Sequence, residues 1–310
     1  MNTLQIVSIV ALIIMQLLIP ALFIYWTGFR KCKSKTNFIL KLLTVWTFFT
    51  YIYYAGQWSF LPYSLRYIFL LLLIVSTVKS VMQFKTLILF EKKKIWGWTK
   101  FVGQFLFLIL FFFSCIEVIN GFRTEEKGID ISFPLKEGFI GHGGSSEIIN
   151  YHNADTTAQQ YALDITKLNT WGLRATGFFP DDLNQYTIYG DTIFAPCDGE
   201  IVKTLDSLDN VPPGVDIKVS PAGNHIVLEY DNSLIVFAHI LKNSFMVSMG
   251  DYVKKGQPLA RIGNSGHTSE PHLHIHAIEG TDTSKILNGN GIPIYFDGKF
   301  LTRNDRIKKH

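Results

Sequence analysis

Cysteine is scarce. Cys32, Cys115 and Cys197 are spread over 310 residues, one in a basic loop, one in an apolar run and one in the later polar half. That spread argues against a disulfide framework and excludes a four-thiolate zinc site. An excess of one charge is also lacking, and a net charge of +4 makes no case for a nucleic-acid partner. The chain has no HExxH pair, which rules out the helix-borne glutamate base of many zinc proteases. It shows no internal repeat and no low-complexity stretch. The first apolar run lacks the basic start and small-residue cleavage site of a signal peptide, so it reads as a retained span.

Apolar residues are abundant. With 48% hydrophobic and 14% aromatic content, part of the chain belongs in lipid. Four α-helical transmembrane spans are expected over about 4–26, 38–56, 60–78 and 98–121. The third is the weakest, because Pro62 and Arg66 intrude on it. Arg30, Lys31, Lys33 and Lys35 form one basic cluster, and Lys79, Lys85, Lys92, Lys93, Lys94 and Lys100 form another. The positive-inside rule puts loops 27–37 and 79–100 in the cytoplasm and everything after Phe122 outside the cytoplasmic membrane. That placement depends on the parity of the spans. Glu117, near the outer end of the last span, reads as a solvated carboxylate.

The transmembrane region thus covers 1–121 and a charged linker covers 122–132. From 133 to 310 short apolar runs alternate with Gly, Pro, Asn and Asp, which predicts a mostly β, extracytoplasmic domain. Residues 224–230 and 234–240, separated by Asp231, Asn232 and Ser233, predict a hairpin. Late in the domain, GNSGHTSEPHLHIHA at 263–277 puts His272, His274 and His276 at alternate positions. On a strand these imidazoles share one face and Leu273, Ile275 and Ala277 the other. Such a strand packs on one side and binds on the other, and neutral imidazole is a common metal ligand. Three histidines on one strand do not make a comfortable ligand set, so other donors must converge. Upstream stand His142, His152 and Asp164, the last a lone carboxylate in the apolar run YALDI and costly to bury unless paired or ligating. His239 ends FAHI on the second strand of the hairpin.

These motifs, in order, carry a resemblance: FPLKEG at 133–138, NYHN at 150–153, YALDI at 161–165, APCDGEIV at 195–202, GNHIV at 223–227, FAHI at 237–240, GDYVKKGQPLARIGNSG at 250–266 and PHLH at 271–274. The domain resembles the lysostaphin-like, LytM-type zinc endopeptidases, or β-lytic metallopeptidases. That resemblance implies the family's compact β fold, one Zn²⁺ per chain, and hydrolysis of peptide bonds in peptidoglycan stems or cross-bridges. It also implies that Asp164 and His274 are zinc ligands and that His239 and His272 flank the reacting water as catalytic residues. One position departs from the family pattern. The first ligand histidine usually lies four residues before the aspartate, where this chain has Gln160. His152 is expected to take that place if residues 153–160 bulge out; His142, or no third ligand, are the alternatives. His276 also departs, and is assigned to substrate contact or to orienting a ligand.

The expected partners are therefore peptidoglycan peptides and the lipid bilayer. No protein partner is legible. Two functional readings follow, a multi-pass membrane-anchored zinc metalloendopeptidase, and a degenerate domain of the same fold that binds wall peptides or a regulatory partner. A sensor that signals inward would need a cytoplasmic effector domain, for which both basic loops are too short.

Overall fold

The computed structural model describes residues 3–92, 94–154, 156–215 and 220–308. Lys93 of the second basic cluster lies outside them. The chain forms two compact units, one of Ile6–Trp58 and Tyr63–Ile119, the other built around Asn120–His310. The first is helical. Four helices, Gln5–Phe29, Lys35–Ala55, Leu65–Thr86 and Ile95–Asn120, are long and apolar enough to cross a membrane. Pro20 has no N–H to give to residue 16, and the first helix accommodates it with a π turn at Ile14–Leu18. The side chain of Gln16 in that turn is buried and accepts from the Gln57 backbone at 2.6 Å. The third helix starts at Leu65, five residues later than Phe60, because Pro62 interrupts the apolar run before it.

The second unit is mostly β. Among the described residues its main sheet has nine strands: β1 (Glu137–His142), β2 (Leu163–Thr166), β3 (Gly199–Leu205), β4 (His225–Tyr230), β5 (Ser233–Ala238), β6 (Tyr252–Val253), β7 (Leu273–Glu279), β8 (Gly291–Ile292) and β9 (Arg306–Lys308). The order is β9-β1-β2-β7-β5-β4-β3-β6, with β8 paired to β7. The expected hairpin is β4 and β5, with a tighter turn than the three residues predicted. Asp231 and Asn232 take φ of 47° and 55°, and Tyr230 pairs with Ser233. Two residues with positive φ form the turn that suits twisted strands, and Asp and Asn tolerate that conformation.

β7 lies inside the sheet, flanked by β2 and β5. Leu273 faces Ile165, Ile275 lies between Leu163 and Phe237, and Ala277 faces Ile235. All seven are at most 2% exposed and belong to one core. Burial of each large aliphatic side chain contributes about 1.5–3 kcal/mol. A one-residue slip of β7 would drive its histidines into that core, so packing specifies the register.

Candidate metal centre

The other face of β7 carries His274 and His276, with His272 one residue before the strand begins. Register brings Asp164 of β2 directly opposite His274 on one side and Ala238 of β5 opposite it on the other. The chain then leaves β5 at His239, whose φ of 62° turns it out of the strand. Asp164 is the hub. Its Oδ1 lies 2.9 Å from His274 Nδ1 and 3.4 Å from His272 Nε2, and both its oxygens lie 3.0 Å from His152 Nε2.

His152 reaches that point by a local device. Asn150 is fully buried, and its amide donates to the carbonyls of Gly144, Gln160 and Ala162. This staple draws together the two ends of the intervening loop. The loop bulges as two short 3₁₀ turns, Tyr151–Ala154 and Thr157–Gln159, and the first carries His152 to the carboxylate. Gln160 faces elsewhere, donating to the Gly291 carbonyl at 3.2 Å. His142 sits opposite Asp164 in register, but its Nδ1 accepts from Arg303 at 2.8 Å. Burial, then Arg303, pushes the His142 pKa down to about 3.

Two overlapping donor groups result, His152 with Asp164 and His274, and His239 with His272 and His274, the atoms of each within 4.8 Å of one another. Two imidazoles and a carboxylate, all buried, are a donor set that suits catalytic zinc. Burial alone would raise the Asp164 pKa, but His152 and His272 outweigh it and hold the carboxyl well below its usual range. Burial likewise opposes protonation of His272, and Asp164 reverses this and raises its pKa. His239 is pushed well below the usual histidine range by burial, then by His272 and His274.

Backbone carbonyls set the tautomers of the flanking pair. A carbonyl can only accept, so His239 donates Nδ1–H to Ser265 O at 2.9 Å and His272 donates Nδ1–H to Glu270 O at 2.8 Å. In the neutral rings both Nε2 atoms therefore hold a lone pair. Gly223 keeps the Ser265 carbonyl in place: its φ is +60°, and a β-carbon there would overlap that carbonyl. Gly223→Ala is expected to cost about 1–3 kcal/mol in unfolding assays. It should also displace the Ser265 carbonyl and release the His239 ring from its fixed tautomer, which ¹⁵N NMR of the histidines would read.

A family model described as peptidase family M23 matches residues 184–286, which include His239, His272 and His274. The chain carries an M23-type domain. His152 and Asp164 lie before the matched residues of this M23 domain. Among curated proteins, cell division protein DipM of Caulobacter vibrioides is 28% identical over 109 residues, covering 35% of this chain and 16% of DipM. The chain thus spans about a sixth of that relative's length. Among solved structures, a zinc-containing peptidase from Vibrio cholerae is 19% identical, covering 49% of this chain and 37% of that one, with a TM-score of 0.30. The catalytic domain of lysostaphin from Staphylococcus simulans is 24% identical, covering 36% and 80% respectively, with a TM-score of 0.24.

Sequence reasoning missed Arg174. It is 1% exposed and pairs with Glu270 at 2.6 Å. Through the Glu270 carbonyl that ion pair bears on His272.

Proposed function

We propose that the chain is a multi-pass membrane-anchored zinc metalloendopeptidase whose M23-type domain lies outside the cytoplasmic membrane and hydrolyses peptide bonds in peptidoglycan. The observation that carries this reading is the convergence of His152, Asp164 and His274 within 4.8 Å, flanked by His239 and His272. Four apolar helices with basic loops at 27–37 and 79–100 support the anchoring and the outward side.

His152, Asp164 and His274 would hold the metal. Zinc in such a site lowers the pKa of water towards ~7 and polarises a peptide carbonyl. The chain's own contribution is proton transfer. Both flanking imidazoles present a basic Nε2, so each begins as an acceptor and can donate only after it has taken a proton. His272 and His239, each with a free Nε2 beside the donor cluster, are the groups that can take the water's proton and hand it to the leaving amine. Their ring centroids lie 4.7 Å apart.

The test uses the full chain in detergent, with zinc content measured beside release of new amino groups from purified peptidoglycan. One zinc per chain and steady release are expected. His272→Ala should keep the zinc and lose about 10²–10⁴-fold in rate. Gln160 at the family's usual ligand position is the one feature that favours a binding-only domain. A chain that stays zinc-free in added zinc, yet retains peptidoglycan, would establish that reading instead.

A further inference from the structure

Behind the metal centre lies a chain of hydrogen bonds that the reaction itself does not use. His274 Nε2 is 3.0 Å from His276 Nδ1, and His276 Nε2 is 2.7 Å from the Ile286 carbonyl oxygen. The Ile286 oxygen has no proton to give, so His276 carries its hydrogen on Nε2. Buried with no carboxylate among its hydrogen-bond partners, His276 is a neutral imidazole with one N–H, so its Nδ1 must accept. His274 then donates Nε2–H, and its Nδ1 is left with a lone pair, aimed at Asp164 Oδ1 from 2.9 Å. Two acceptors facing each other at that distance call for a cation between them.

We propose that His276 is a positioning residue that relays the Ile286 carbonyl to His274, and so fixes the tautomer in which His274 Nδ1 is free to ligate zinc. The proposal rests on the zinc-site reading above.

The end of the relay is held firmly. Asp282 accepts from Ser284 N at 3.0 Å and starts the turn Thr283–Lys285 that leads into Ile286. The Ile286 side chain packs in a small apolar cluster with Ala158, Val236 and Ile278. Ala158 belongs to the loop that delivers His152, and Thr157 and Gln160 of that loop bond to Gly289 O and Gly291 O. A β-carbon on Gly291 would strike the carbonyls of Thr157 and Ala158. The two positions at which this chain departs from the family pattern, 160 and 276, thus converge on one stretch of backbone. The two ligand histidines are supported unequally. His152 Nδ1 is buried with no hydrogen-bond partner among the described residues, so His274 is the ligand whose orientation the fold dictates.

The experiment compares the full chain with His276→Phe and His276→Gln. Glutamine can accept from His274 and donate to Ile286; phenylalanine fills the space and does neither. Zinc affinity by chelator competition should fall about 10–100-fold in the Phe variant, as for other outer-sphere partners of ligand histidines. The Gln variant should recover most of that loss. Solid-state ¹⁵N NMR of the metal-free, histidine-labelled chain should show His274 protonated at Nε2 in the parent and the Gln variant, and shifted towards Nδ1 in the Phe variant. Thermal unfolding of the metal-free proteins reads any general loss of structure separately. A Phe variant that binds zinc as tightly as the parent, or a parent with His274 protonated at Nδ1, overturns the relay. Should the parent bind no zinc, the functional reading falls and the NMR result alone decides the relay.

Discussion

Asp164→Asn is expected to remove zinc binding and hydrolysis together while the domain stays folded. Asparagine keeps the shape of the side chain but takes away the charge on which His152, His272 and His274 converge, all within 3.4 Å of Asp164 oxygens. It also exchanges an oxygen for an NH₂ group, which cannot ligate a cation. A metal that binds only the native state stabilises it by about 2.7 kcal/mol at one hundred times its Kd. For a domain of this size that amounts to a rise of about 5–10 °C in Tm on adding zinc. The parent should show that rise and Asp164→Asn should not. Without metal Asp164→Asn should unfold cooperatively but at a somewhat lower temperature, because it loses the charge that His152 and His272 stabilise while neither opening a cavity nor altering the strand pairing. A zinc-dependent rise retained in Asp164→Asn would remove Asp164 from the ligand set.

Much of this architecture was legible because the signals were periodic and local. The alternation of His272, His274 and His276 with Leu273, Ile275 and Ala277 is a two-residue period that predicts β7 and its two faces, and both faces are where the period puts them. The apolar runs locate four helices, although composition could not show that Pro62 delays the third until Leu65. What stayed hidden depends on contacts between distant residues. That His142 is held by Arg303, 161 positions away, is not written in the GHGG motif around it. Nothing local marks Arg174 as a buried partner, and only the fold brings Glu270 to it, 96 positions on. The relay from His276 to Ile286 ends on a backbone carbonyl, which carries no side-chain signature. Asn150 did leave a trace. A turn-forming residue two positions before His152 is the kind of signal that could have marked the loop's closure, and the side chain bonds the carbonyls of Gly144, Gln160 and Ala162.

His152→Ala should lose the metal even though a potential rescuer lies at the family's usual ligand position. Structural zinc sites with four ligands are worth about 10–16 kcal/mol, so the loss of one ligand costs about 3 kcal/mol, a hundredfold or more in affinity. The sharper test is the double variant His152→Ala with Gln160→His. If spacing from Asp164 alone chose the ligand, a histidine at 160 would restore zinc. The geometry argues otherwise. The Asn150 staple fixes the Gln160 backbone, and the side chain runs to Gly291 O at 3.2 Å, on the flank where β8 joins β7. A histidine there would have to break that contact and turn against the staple to reach Asp164, so zinc binding is expected to stay lost. Rescue by Gln160→His would mean that the bulge yields easily and that His152 serves by default rather than by construction. Zinc retained in His152→Ala alone would point to His142, which could ligate through Nδ1 only by giving up its 2.8 Å bond to Arg303. In that event Arg303→Ala would tighten zinc binding in the His152→Ala background, whereas with His152 as the ligand it has no such effect.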